Sequence, residues 1–313
     1  MSFASDVRRG LTAKPKSLPP RYFYDALGSA LFTAICNLPE YYVTRAEEHI
    51  LLTHRADIMH TIGGPLRMVE LGSGDSRKTR LLIEAVLAQQ TQLDYLPIDI
   101  DPNVLNEAGR RLAADFRGLT IRAVCSEFAA AADALRAHPA PAGVKTVVLF
   151  LGSTIGNLDE VEAVSMLSSI RGALAPTDAL FLGADLKKAK RILEPAYDDA
   201  LGVTAAFNLN LLQRINRELG GHFRLNQFAH LAFYDEERGR IEMHLAAREP
   251  QRVRIDALDL EVSFDNGETI HTENSYKYDP RQIETIASRS GFGVAKWWTD
   301  SETRFADFLL VPR

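Results

Sequence analysis

Short apolar runs alternate with amphipathic segments between residues 67 and 184, and this alternation limits the fold more than any other feature. The apolar runs cover 68–72, 93–100, 119–125, 145–151 and 178–184. Helical spacing of apolar residues marks the segments between several of them, and Asp101-Pro102 is a typical helix start. Alternation at this spacing predicts an α/β fold with a doubly wound, mostly parallel sheet.

The pattern changes near residue 187. A long helix is predicted over 204–219 and antiparallel strands over 227–247 and 252–264, before a helix at 280–290 and a strand at 304–311. We therefore expect an α/β domain of residues 47–187 and 278–313. The inserted segment is expected to pack with the N-terminal residues as a second, discontinuous α+β domain of residues 1–46 and 188–277.

Composition excludes several classes of protein. The 313 residues are 46% hydrophobic and 25% charged, with a net charge of −5, so the chain lacks the basic surface that non-specific nucleic-acid binding needs. No apolar run reaches the roughly 18 residues of a membrane helix, and the N-terminus has no hydrophobic signal core. We expect a cytoplasmic protein with neither nucleic acid nor membrane as partner. The two cysteines, expected to be buried, are too few for a disulfide framework.

A glycine loop follows the first apolar run. Glu70, Gly72 and Gly74 form an E-x-G-x-G pattern between a predicted strand and a predicted helix, and the two glycines are candidates for cofactor binding. The third glycine of dinucleotide-binding loops is absent, which disfavours NAD. The pattern is typical of class I S-adenosylmethionine (SAM) methyltransferases. A tight turn without any ligand is the alternative.

Acidic residues end the next two predicted strands. Asp99 is a candidate to accept hydrogen bonds from ribose hydroxyls, whereas Asp101 is explained as a helix cap. Glu127 and Phe128 stand where adenine binds in such folds. An exposed glutamate and a core phenylalanine remain equally acceptable for this pair.

The fourth predicted strand runs into Leu151-Gly152-Ser153-Thr154-Ile155-Gly156-Asn157, a polar loop where methyltransferases of this architecture bind the acceptor. Asn157 offers both a donor and an acceptor, and a capping Asn or a turn before the next helix is the alternative. Tyrosines are dense at 22–24 and 41–42. From the residues alone, packing between domains explains them.

The whole chain resembles the L-histidine Nα-methyltransferases of ergothioneine biosynthesis. Seven segments carry the resemblance in the order of the family: SLPPRYFYDALGSALF (17–32), LPEYYVTRAE (38–47), VELGSGDSRKTR (69–80), FLGSTIGNL (150–158), AYDDALGVTAAFN (196–208), RIEMHL (240–245) and HTENSYKY (271–278). The resemblance implies a class I methyltransferase domain, with a second domain that covers the amino-acid site. It also implies three methyl transfers from SAM to the α-amino nitrogen of histidine, giving hercynine and S-adenosylhomocysteine.

The resemblance assigns roles residue by residue. Cofactor positions fall on Gly72, Lys78, Asp99, Glu127 and Phe128, where Glu127 replaces the usual aspartate. The positions at the reacting amine fall on Tyr24 and Gly152. Those around the amino-acid carboxylate and amine fall on Tyr41, Asn157 and Tyr197, and those around the imidazole fall on Met243, Glu273 and Ser275. Of these, Tyr24, Gly152 and Asn157 are the catalytic candidates. Glu273 and Ser275 share a face of an extended segment, so that each can hold one imidazole nitrogen.

The expected partners are small molecules: L-histidine and its mono- and dimethyl forms. A metal is not expected, because spacings of five and six residues do not put His49, His54 and His60 on one helical face. A monomer is expected. Three alternatives stay open: another acceptor amino acid, a nicotinamide oxidoreductase, and a binding protein without turnover.

Overall fold

The computed structural model describes residues 2–313 and divides into two compact units. Unit 1 comprises Met1–Tyr42 and Lys188–Ser275, and unit 2 comprises Val43–Lys187 and Tyr276–Arg313. These boundaries lie within four residues of those predicted from the change of pattern. Among the described residues, no helix is both long enough and apolar enough to cross a membrane.

Unit 2 contains a mostly parallel sheet. Its strands are β2 (Leu66–Leu71), β3 (Leu93–Asp99), β4 (Leu119–Ile121), β5 (Val124–Cys125), β6 (Lys145–Phe150), β7 (Ala179–Asp185), β13 (Phe292–Thr299) and β14 (Phe305–Pro312). They lie in the order β13-β14-β7-β6-β2-β3-β4, and β5 also pairs with β3. Among the described pairings of this sheet, β13–β14 and β14–β7 are antiparallel and the others are parallel. Strands β2 and β7 are buried throughout, as parallel strands covered on both faces should be.

Helices cover this sheet, and polar caps define where several of them start. The helices of unit 2 are α4 (Arg77–Leu87), α5 (Pro102–Asp115), α6 (Ala131–Ala137), α7 (Glu160–Arg171) and α10 (Pro280–Arg289), with most of α3 (Tyr42–Ile62). Asp101 caps α5 through the backbone N–H groups of Asn103 and Val104. Asp159 and Asp279 form capping boxes at the starts of α7 and α10.

Unit 1 combines helices with a mixed sheet, in which β8 and β9 pair antiparallel and β1 and β12 pair parallel. Its helices are α1 (Phe3–Thr12), α2 (Ala26–Ile35), α8 (Lys190–Leu193) and α9 (Val203–Leu219), and its strands are β1 (Lys16–Ser17), β8 (Phe228–Asp235), β9 (Arg240–Ala247), β10 (Gln251–Ile255), β11 (Leu260–Phe264) and β12 (Thr269–Tyr276). The order of the four-stranded sheet is β1-β12-β9-β8, with β10 and β11 as a separate hairpin. Helix α9 packs on β8 and β9 and against α2.

Two sequence expectations need correction. Cys125 is exposed and Cys36 half-buried, so neither is the fully buried residue that was expected. The third predicted strand, 119–125, is two short strands, because the chain leaves the ladder between Ile121 and Val124.

Candidate functional site

The glycine loop of unit 2 is open where a cofactor would approach. Gly72 and Gly74 have φ values of +67° and +50°, a left-handed conformation that favours glycine. A Cβ atom added at either position would meet nothing within 4 Å. Among the described residues, the buried Ser73 hydroxyl has no hydrogen-bond partner. Free backbone space and an unpaired hydroxyl fit a polar ligand such as SAM.

Of the two acidic residues at the end of β3, Asp101 caps a helix as the sequence predicts, whereas the contacts of Asp99 with the backbone were not predicted. One oxygen of Asp99 accepts the Gly74 N–H at 2.8 Å, and the other accepts the Asp101 N–H at 3.0 Å. Asp101 is the cap of α5. Asp99 therefore holds the glycine loop in shape at the carboxyl end of the sheet.

The glutamate before the loop has a structural place inside the unit. Glu70 is buried and accepts hydrogen bonds from the hydroxyls of Thr79 and Tyr95. Burial raises its pKa from 4.5 to about 7, against the opposing effect of the two hydroxyls. The side chain thus connects β2, β3 and α4 beneath the loop.

The candidate adenine pair lies directly after β5. Glu127 is exposed. Phe128 is partly buried and packs against the core, with its ring 5.9 Å from that of Phe150. The exposed carboxylate and the partly covered ring agree with the surface-and-core alternative, and they also leave both groups accessible at one edge of the sheet.

The loop after β6 presents backbone to the site. Gly152 has a φ of +74°, and its N–H donates to both oxygens of Glu47, at 2.8 and 3.0 Å. Asn157 is half-buried and ends a 3-10 helix that begins at Thr154. Asn157 does not cap the following helix, because the cap is Asp159, whereas the alternative of a turn before that helix remains.

The sequence analysis did not identify three residues near this loop, namely Glu47, Asp307 and Gly183. Lys78 pairs with Glu47, and the buried Asp307 of β14 neighbours Glu47. Gly183 of β7 leaves room for the two carboxyl groups. The sequence offers two signals for these residues: Asp307 is an aspartate inside the apolar run 304–311, and Gly183 is a glycine inside the run 178–184.

Unit 1 brings together the tyrosines and the serine that the resemblance singles out. The Tyr197 hydroxyl is 2.7 Å from the Ser275 Oγ, and both residues are buried. The Tyr41 ring lies 6.2 Å from that of Tyr197. Tyr24 is half-buried and meets the Phe207 ring edge-on at 5.8 Å. Residues from four distant segments thus form one aromatic and hydroxyl cluster.

The carboxylate of Glu273 affects the electrostatics of this cluster. Burial raises the pKa of Tyr41 well above 10, and neighbouring groups, with Glu273 among them, raise it further. Tyr41 is therefore a neutral donor at physiological pH. Glu273 is half-buried, and Met243 on the neighbouring strand β9 is only 2% exposed.

A group of possible metal ligands occurs elsewhere in unit 1. Among the described residues, Glu242, His244 and His271 each offer a donor atom, and the three atoms lie within 4.8 Å of one another. Each group already has a partner. Glu242 accepts from Arg240 and contacts His244 Nε2 at 2.9 Å, while His271 Nε2 contacts Asn274 at 2.8 Å. These contacts explain the group as a polar network of the sheet.

Several known proteins are similar to this chain in sequence. Histidine N-alpha-methyltransferases of Mycolicibacterium smegmatis and Mycobacterium tuberculosis are 46% and 41% identical to it, covering 98% and 97% of this chain and 94% and 93% of their own. Ergothioneine biosynthesis protein 1 of Neurospora crassa is 30% identical over 91% of this chain and 32% of its own length. Residues 3–312 match the family described as histidine-specific methyltransferase, SAM-dependent. The chain therefore belongs to the family of histidine-specific, SAM-dependent methyltransferases.

Proposed function

We propose that the protein transfers three methyl groups in turn from SAM to the α-amino nitrogen of L-histidine, giving hercynine on the route to ergothioneine. The supporting observation is the near-full-length similarity to two histidine N-alpha-methyltransferases, which spans every segment that carries a candidate residue. The buried hydroxyl cluster of unit 1 provides the polar groups that a zwitterionic amino acid needs.

Unit 2 is proposed to hold SAM through the loops that follow β2, β3 and β6. Asp99 would accept from the ribose, Gly72 and Gly74 would let the ligand approach the backbone, and Glu127 with Phe128 would line the adenine. The Nζ atom of Lys78 would lie 3.2 Å from a Cβ atom added at Gly152. SAM supplies a methyl group that its sulfonium already activates, so that no metal is required for the transfer.

The remaining candidate residues, which belong to unit 1 except for Asn157 of unit 2, are proposed to bind the amino acid. Tyr41 and Tyr197 would donate to its carboxylate and Asn157 would bind carboxylate and amine, while Glu273 and Ser275 would each take one nitrogen of the imidazole beside Met243. Because a carboxylate placed for an imidazole N–H is left unpaired by an indole or phenyl ring, Glu273 would select against those amino acids.

The α-amino group must lose its proton before each transfer. Tyr24 and Asn157 are poor bases, so we propose that the proton leaves to water and that these residues orient the lone pair. Orientation and exclusion of water can contribute up to about 7–11 kcal/mol to a reaction of two bound molecules. Gly152 and Gly156 would give a dimethylated nitrogen room to rotate.

Mass spectrometry of L-histidine incubated with the purified protein and SAM tests this function. We expect a product with three added methyl groups, and activity that survives removal of metals by a chelator. Parallel incubations with tryptophan and tyrosine separate the alternative acceptors. Binding of histidine and SAM without any methylated product would instead indicate a binding protein, and binding of NAD would indicate an oxidoreductase.

A further inference from the structure

Two buried carboxyl groups face each other behind the loop at Gly152. Glu47 of α3 and Asp307 of β14 are both fully buried. Glu47 accepts the Gly152 N–H with both oxygens and pairs with the Lys78 ammonium. Within residues 2–313, neither oxygen of Asp307 has a hydrogen-bond partner when both acids are taken as ionised. A buried carboxylate with no donor is strongly unfavourable, so this pair requires a physical explanation.

Gly183 shows that the close approach is built into the sheet. A Cβ atom on Gly183 would lie 2.2 Å from Glu47 Oε1 and 3.1 Å from Asp307 Oδ1. Any other residue at position 183 would therefore collide with Glu47 and crowd Asp307. The glycine makes space for two acids where the surrounding strand is apolar.

A single proton explains both observations. If Asp307 is protonated, its hydroxyl donates to Glu47, and the unpaired group gains a partner. Glu47 is the better ionised member, because the Lys78 ammonium and the Gly152 N–H already favour its charge. Burial raises the pKa of Asp307 well above 3.8, and the charge of Glu47 raises it further. The group then holds one negative and one positive charge instead of two negative charges.

We infer that Glu47 and Asp307 share one proton, and that Glu47 is thereby fixed as a positioning residue for Lys78 and for the Gly152 N–H. The inference rests on the proposed function, because Lys78 and Gly152 are assigned there to the cofactor and the reacting end. Glu47 itself touches neither reactant in this scheme. It restrains the Lys78 ammonium and the 151–157 loop, and Asp307 keeps Glu47 from turning towards another donor.

The proton is tested directly by infrared spectroscopy. The wild-type protein near neutral pH should show the carbonyl stretch of a protonated, buried carboxylic acid, and Asp307→Asn should remove it. This readout needs neither substrate, so it stands even if histidine is not the acceptor. Glu70, with a pKa of about 7, contributes a band to both proteins, so the difference between the two spectra decides; a difference spectrum without a carbonyl band overturns the shared proton.

Calorimetry of SAM binding and steady-state kinetics test the positioning role. Glu47→Gln should weaken SAM binding by about tenfold or more and lower kcat, because Lys78 loses its partner. The matched control is Glu48→Gln on the same helix, which removes the same charge next to Arg77 and should change either value by less than about twofold. Equal effects of the two variants would overturn the role of Glu47.

Two substitutions of Asp307 separate a donated hydrogen bond from mere packing. Asparagine keeps a donor at this position and should stay within about threefold of the wild type, whereas leucine removes the donor and should resemble Glu47→Gln. Circular dichroism identifies any variant that fails to fold. If the leucine variant does not fold, the asparagine variant decides, since a loss as large as that of Glu47→Gln would mean that Asp307 acts as an ionised group.

Discussion

The two units assemble their candidate residues in different ways. In unit 2, Gly72, Asp99 and Gly152 follow three strands that lie side by side, β3-β2-β6, so parallel pairing brings them to one edge of the sheet. In unit 1, Tyr24, Tyr197 and their neighbours come from helices, turns and a strand that are far apart in the chain. The first arrangement follows from a topological rule, and the second from long-range packing particular to this chain.

The units also differ in how they bury polar groups. Unit 2 buries acids, with Glu47, Glu70 and Asp307 next to the loops, and it pairs the fully buried Asp185 with Lys277 at 2.8 Å. The candidate site of unit 1 buries hydroxyl groups, and its charge comes from the half-buried Glu273. We conclude that the candidate site of unit 2 is organised around fixed charges and that of unit 1 around neutral donors, although unit 1 buries the charged Asp6 beside Arg21 elsewhere. Substitutions in the two units should accordingly fail in different ways.

Glu273→Gln is expected to have the largest effect. It should lower kcat/KM for histidine about 100- to 1,000-fold, because the charged acceptor for an imidazole N–H is lost, and it should leave SAM affinity within about threefold. Steady-state kinetics and calorimetry measure the two quantities. The adjacent Asn274→Ala, which removes a partner of His271, is the control. An equal loss of SAM affinity would contradict the proposal that Glu273 binds the amino acid and not SAM.

Asp99→Ala should act on the cofactor instead. Its carboxylate holds Gly74 and is proposed to meet the ribose, so SAM affinity should fall about 10- to 50-fold, measured by calorimetry. Asp101→Asn is the matched control two residues away. It keeps a capping side chain, so SAM affinity should change by less than about threefold. Similar losses in both variants would show that the substitutions act through the local backbone and not through a contact between Asp99 and SAM.

The same contrast explains what the sequence predicts. Strand–helix alternation and the glycine loop predict the sheet of unit 2 and the place of Gly72 and Asp99, because each signal is local. Glu47 and Asp307 escape prediction, since they are 260 positions apart and meet only when β14 adds antiparallel to β7. For Asn157 the residues left ligand binding, helix capping and a turn open, and the observed cap at Asp159 excludes helix capping.

Unit 1 was far less predictable. The periodicity gave α9 and the antiparallel strands approximately, but no local signal indicated that Tyr41, Tyr197 and Ser275 would share a cluster. From the residues alone, an exposed Glu and Ser on a strand and packing tyrosines were sufficient explanations. The resemblance to a family supplied the roles, which illustrates that specificity sites built on long-range contacts leave weak patterns in a sequence.

Stability should respond to pH with opposite signs in the two units. The raised pKa of Glu70, about 7, means that its contribution is present in acid and is lost as pH rises. The free energy of unfolding of the wild type relative to Glu70→Gln should therefore fall by about 2 kcal/mol between about pH 5.5 and about pH 7.5.

Glu242 of unit 1 gives the opposite test. Burial opposes its charge, but hydrogen bonds from Arg240 and His244 lower its pKa overall, so its contribution is present at neutral pH and is lost as pH falls. The difference in free energy of unfolding between wild type and Glu242→Gln should thus shrink towards acid. Urea unfolding at several pH values measures both variants. A common sign would contradict the contrast between the units.

The smallest expected effect concerns the hydroxyl pair of Tyr197 and Ser275. Tyr197→Phe or Ser275→Ala alone should cost about 1–2 kcal/mol of unfolding free energy, because each removes the hydrogen bond between two buried hydroxyls. The double variant should cost less than the sum of the two, since both single variants remove the same hydrogen bond. Urea unfolding of all four proteins gives the coupling energy. Because no buried charge is involved, that coupling should hardly change with salt or pH below the titration of tyrosine, whereas the contribution of Glu70 depends on pH. Additive costs would mean that the two hydroxyls do not depend on each other, and unit 1 would then lack the neutral donor pair that distinguishes it from unit 2.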